Sequence, residues 1–125
     1  MLRKGLLLLL LAVMNIGLVE AIASVNVKRE TERAISLIEH GRYAEARHSL
    51  TLLREQIPLD DEVLVRHIDF ELVRCAAELH DNEAENRMLA FLRRYPESVH
   101  VNDVRFMLAM YYCEREEYQK ARAYL

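Results

Sequence analysis

Five histidines, two cysteines and one run of carboxylates are the residues through which this chain could do chemistry. The histidines are His40, His48, His67, His80 and His100. A zinc or other transition-metal site needs three or four N, S or O donors that the backbone can bring together, usually in pairs a few residues apart. His67, His80 and His100 are not so spaced, and Cys75 and Cys113 are only two thiols, so no metal site is expected. Asp60-Asp61-Glu62 would be a general acid and base if it lined a cleft. It follows Pro58, where a helix must restart, and there the same carboxylates serve as an N-cap and complement the helix dipole. The sequence contains no Gly-rich phosphate loop, no His-Glu-x-x-His and no strained serine elbow. The expectation is a protein without catalytic residues, cofactor or metal.

The first residues set the compartment. Arg3 and Lys4 precede an apolar run, Leu6 to Leu18, in which Asn15 is the polar interruption, and Ala21-Ile22-Ala23 follows. A basic start, about a dozen apolar residues and a small-x-small tripeptide make up a secretory signal. Residues 1–23 are read as that signal, with cleavage between Ala23 and Ser24, and residues 24–125 as the exported domain. The rival reading is an uncleaved anchor, although such a run is shorter than the roughly 20 residues of a spanning helix. A bacterial periplasm is the expected destination, with no membrane span after cleavage. In an oxidising compartment Cys75 and Cys113 raise the question of a disulfide. Their apolar neighbours at helical spacing favour buried thiols instead.

Charge narrows the partners. Removing Arg3, Lys4 and Glu20 from 17 basic and 20 acidic residues leaves 15 and 19, a net charge of −4. Nucleic acid is not expected, because phosphate binding needs a basic surface.

The elements that must position these residues are helices. Glycine occurs three times and proline twice in 125 residues. Punctuation falls at Gly41, Pro58, His80-Asp81-Asn82 and Pro96. The spacing predicts helices over 27–39, 43–56 and 61–79. A fourth opens on an Asn82/Glu85 capping box and is stopped by Pro96. A fifth is capped by Ser98 and reaches about Arg115, and a sixth starts near Glu117. Tyr43, Ala46, Leu50, Leu53 and Ile57 advance by three or four and form one apolar stripe.

These helices repeat. Tyr43-x-x-Ala46 recurs 75 residues later as Tyr118-x-x-Ala121, Ala84 stands 38 residues after Ala46, and Pro96 stands 38 after Pro58. The period is a helix pair. Ala34, Gly41, Tyr43, Ala46, Leu50, Leu53 and Pro58 resemble, in order and spacing, the signature of a tetratricopeptide repeat. Leu108-Ala109, Tyr112, Tyr118 and Ala121 look like the start of a third copy. The middle copy keeps Ala84, Met88, Phe91 and Pro96, with Leu79 and Asp81 where the family has glycine and tyrosine. Tyr95-Pro96-Glu97-Ser98 is similar to the junction in bacterial envelope members of the family.

The resemblance implies an all-α fold, a right-handed α-solenoid of antiparallel helix pairs with about two and a half repeats. Small Ala34, Ala46, Ala84, Ala109 and Ala121 would sit at close helix crossings, and Tyr43 and Tyr118 would wedge the turns. It also implies a concave groove for extended or helical peptide segments. Carried over, the groove positions are Lys28, Thr31, Ile35 and Ile38 from the first copy, Arg66, Asp69 and Val73 from the second, and Phe106 and Met110 from the third. The Lys/Asn clamp that grips a peptide carboxylate in some members is missing, since Thr31 and Ile35 occupy those turns. The function so implied is an exported protein-binding scaffold or adaptor. The alternative is the N-terminal part of a larger outer-membrane or peptidoglycan-linked assembly whose repeats recruit a catalytic partner. Leu125 falls inside the sixth helix, so the repeats are expected to continue or the open end to self-associate.

Overall fold

A computed structural model describes residues 2–125. It contains six helices: α1 (Leu2–Glu39), α2 (Tyr43–Gln56), α3 (Glu62–Glu78), α4 (Ala84–Arg94), α5 (Val101–Glu114) and α6 (Tyr118–Tyr124). Among the described residues there is no strand. The fold is all-α and repeat-like. Each helix packs on its chain neighbours, and α3 also touches α1 on one side and α5 on the other.

The largest departure from the expected elements is α1. The first helix was expected to begin at residue 27, but it starts at Leu2 and runs unbroken for 38 residues. The reason is local: no proline or glycine interrupts residues 18–40, and every residue there tolerates a helix. Its first two dozen residues are exposed along every face, and burial begins with Val27, Thr31, Ala34 and Ile38.

The turns that close α1, α3 and α5 share one geometry. Gly41, His80 and Glu116 have φ of 73°, 49° and 61°. In each turn that residue's N–H bonds three residues back, at 2.9, 3.1 and 3.0 Å, and the next N–H bonds five residues back, at 2.8, 3.0 and 2.9 Å. This is the Schellman closure, in which one left-handed residue ends the helix and satisfies its last carbonyls. The middle copy is therefore corrected: His80, not Leu79, occupies the glycine position, and Asn82, not Asp81, stands where Tyr43 and Tyr118 stand. Ala84 follows that residue by four positions, where Ala46 and Ala121 follow theirs by five. One residue is thus missing after the middle turn, which is why counting back from Ala84 missed it.

The returning junctions are set by proline. Ile57 (ψ 132°) and Tyr95 (ψ 57°) leave the helical region because Pro58 and Pro96 crowd the residue before them. Asp61 Oδ1 then accepts from Leu64 N at 3.3 Å and caps α3. The Asn82/Glu85 capping box does not form. Asp81 Oδ1 instead accepts from Glu83 N at 3.1 Å, while Glu85 is drawn away to accept from the Tyr112 hydroxyl at 2.6 Å. Ser98 does not cap α5 directly either; its Oγ accepts from His100 N at 3.2 Å in the turn ahead of Val101.

Two cores result, and α3 serves both. Val65, Ile68 and Cys75 join Ala34, Ile38, Ala46, Leu50, Leu53 and Ile57 in the first. Phe70, Val73 and Ala76 join Ala84, Met88, Phe91, Val104, Leu108, Tyr112 and Ala121 in the second. A helix apolar on two sides must be covered on both, so α3 sits in the middle. Ala109 is buried with them, Tyr43 is half-buried, and Gly41, Pro58 and Pro96 are exposed in the turns. Tyr118, expected as a turn wedge, is 64% exposed. Cys75 is buried and Cys113 half-buried, and neither is bridged. Burial, chiefly, lifts the Cys75 thiol to about 11.

Candidate binding surface

The nine groove positions divide by where their helices point them. Thr31, Ile38 and Val73 are buried, and Thr31 Oγ1 donates to Val27 O at 2.8 Å along its own helix. They are corrected to core residues: each lies on the stripe of α1 or α3 that packs against the following helix. Asp69 is also displaced from an open groove. Asp69 accepts from Arg54 Nε on α2 at 2.7 Å and from the Tyr95 hydroxyl at 2.6 Å, so it faces the second helices of the pairs. Arg66 lines two cavities at the α4–α5 connection. One, of about 400 Å³, includes Leu59, Tyr95, Pro96 and Ser98; the other, of about 310 Å³, includes Val63, His67, Val99 and His100. Lys28, Ile35, Phe106 and Met110 remain on the surface. Phe106 is 59% exposed and Met110 45%, four residues apart and so on one face of α5.

The polar interior is organised by two carboxylate–tyrosine pairs. At Asp69 the ion pair and the tyrosine bond tie α2, α3 and the end of α4 together, with Arg94 at 3.8 Å from the same carboxylate. Burial first, then the bond to Asp69, pushes the Tyr95 hydroxyl up to about 12. Glu85 and Tyr112 link α4 to α5 in the same way, and burial likewise raises the Tyr112 hydroxyl above its ordinary value. Glu71 is buried on α3 and is held by Arg74 at 2.9 Å.

A further concavity runs between α2 and α4 with α3 as its floor. Ala44, Arg47, His48 and Thr51 form the α2 wall, Arg87 the α4 wall and Leu72 the floor of one part, about 270 Å³. Leu72 and Arg87 continue into a second part of about 190 Å³ with Asp69, Val73, Ala90, Phe91, Arg94 and Tyr95. Sequence reasoning passed over this groove. Its trace in the sequence is a repeated pair: Arg47 and Arg54 on α2, and Arg87 and Arg94 on α4, each seven residues apart and offset by 40. Residues seven apart share a helix face.

The described residues contain no group of three or more His, Cys, Asp or Glu placed to hold a metal. No family model, curated protein or solved structure matches this chain.

Proposed function

We propose that this chain is an exported scaffold of stacked, tetratricopeptide-like helix pairs that binds segments of other polypeptides and performs no catalysis of its own. The observation that carries the reading is the recurrence of one helix-closing turn at Gly41, His80 and Glu116, with α3 packed laterally on both α1 and α5. Like pairs packed side by side, with α3 shared between two successive cores, expose an extended surface, which suits recognition of peptides. Phe106 and Met110 on the free face of α5, with half-buried Ile35 on α1, offer apolar side chains to such a partner.

The test is affinity capture from an envelope extract by wild type and by an Ile35→Asp, Met110→Asp variant. Loss of specific partners from the variant supports binding through the first-helix face. Retention of every partner by the variant argues against that face.

A second reading of α1 is favoured by its continuity. The helix is long and apolar enough to cross a membrane, and it passes through Ala21-Ile22-Ala23 without a break. Retained, it would anchor the scaffold; cleaved after Ala23, it would leave every buried residue of α1 in place. Mass spectrometry of the exported chain separates the two: a mature start at Ser24 supports release, and an intact Leu2–Ala23 segment supports the anchor.

A further inference from the structure

The α2–α4 groove departs from the charge of the chain that builds it. The whole protein carries a net charge of −3. Yet the residues lining the groove include three arginines, Arg47, Arg87 and Arg94, with His48, against one carboxylate. That carboxylate is Asp69, and its two oxygens already accept from Arg54 Nε and the Tyr95 hydroxyl. Arg47 is held at one end by Asp81 at 3.1 Å. Arg94 reaches Asp69 only at 3.8 Å and remains mostly exposed. Arg87, which lines both parts of the groove, has no ion-pair partner among the described residues.

We propose that this groove docks a short acidic segment of a partner polypeptide, with Arg87 and Arg94 binding its carboxylates and Arg47 closing the far wall. The proposal rests on the scaffold reading and names the surface and the chemistry that the scaffold recognises. Three features favour a peptide. Leu72 on the floor and Ala90 on the α4 wall give the groove apolar surface, which a peptide's side chains and backbone can cover and a lone anion cannot. Guanidinium forks match carboxylates in two-point geometry. The span also fits: Arg87 and Arg94 are seven residues apart, roughly 10 Å along a helix, which is the length of about three residues of extended chain. A nucleic acid would need a longer cationic track than three arginines provide.

The test uses the full chain in detergent micelles and a fluorescein-labelled dodecamer of alternating Glu and Ser, with a Gln/Ser dodecamer as control. Fluorescence anisotropy at about 50 mM salt should show saturable binding of the Glu peptide only, weakened severalfold at about 300 mM as screening increases. Arg87→Glu with Arg94→Glu should weaken it at least tenfold, and Arg87→Ala with Arg94→Ala should do so in part, with thermal melts checking that both fold. Phe106→Asp with Met110→Asp should leave it within twofold of wild type. Equal binding of the Gln peptide, or undiminished binding by both arginine variants, overturns the assignment. So does full displacement by inorganic phosphate at matched charge, which would make the groove an anion site. If the peptide fails to bind while envelope partners are still captured by the arginine variants, the groove is wrong and the scaffold reading stands.

Discussion

Replacing His80 or Glu116 with glycine should stabilise this protein, and replacing Gly41 with alanine should destabilise it. All three residues close a first helix in the left-handed region. A side chain there costs roughly 1–2 kcal/mol. Glycine's extra freedom in the unfolded chain offsets about 0.5–1 kcal/mol of that. The net effect is about 0.5–1 kcal/mol per site, with opposite signs for the two directions of substitution. Gly41→Ala isolates the conformational part, because an added Cβ would meet nothing within 4 Å. His80→Gly also removes the 3.6 Å approach of His80 Nδ1 to Glu114, but both side chains are exposed there. An exposed pair of this kind contributes too little to reverse the sign. For a domain of about 100 residues the expected shift in Tm is roughly 2–8 °C. Among the described residues, 24–125 hold every buried side chain, and circular dichroism melts of that segment would read it. A lower midpoint for His80→Gly, or an unchanged one for Gly41→Ala, would refute the claim that these three turns are one device.

Asp69→Ala should destabilise by about 1.5–3 kcal/mol in urea, since it strands Arg54 and the Tyr95 hydroxyl at once; an effect below about 0.5 kcal/mol would mean water replaces the carboxylate. Ala46→Leu should cost about 1–3 kcal/mol by overpacking a fully buried crossing, measured in the same way. In a Cys113→Ser background, Cys75 should stay unreactive to iodoacetamide at pH 8. Its thiolate, followed by the pH dependence of its alkylation rate, should form only near pH 11, against about 9 once unfolded. Because the folded state holds the neutral thiol, the stability contributed by that burial is complete below pH 9 and is lost as pH rises from 9 to 11.

Much of the helical plan was legible because helix periodicity and proline act locally. Ala46, Leu50 and Leu53 mark their stripe within four turns of chain, and Pro58 and Pro96 end α2 and α4 whatever surrounds them. The surface was not legible in the same way. Whether Thr31, Ile38 and Val73 face a groove or a core depends on which neighbour each helix stripe meets, and helical spacing alone allows both. Asp69 read as a groove residue until Arg54 and Tyr95, 15 positions before and 26 after it, were brought to it by the stacking of α2, α3 and α4.

By itself, the sequence determined an all-helical, repeat-like chain with an apolar leading segment and net negative charge. Those properties are sums or short-range patterns, fixed before any helix meets another. Tertiary structure alone decided that α3 is buried on two sides, that His80 and Glu116 adopt the glycine conformation, and that arginines from α2 and α4 converge above Leu72. Each of these depends on packing between residues distant in the chain, where contact energies outweigh the small local preferences that a sequence displays.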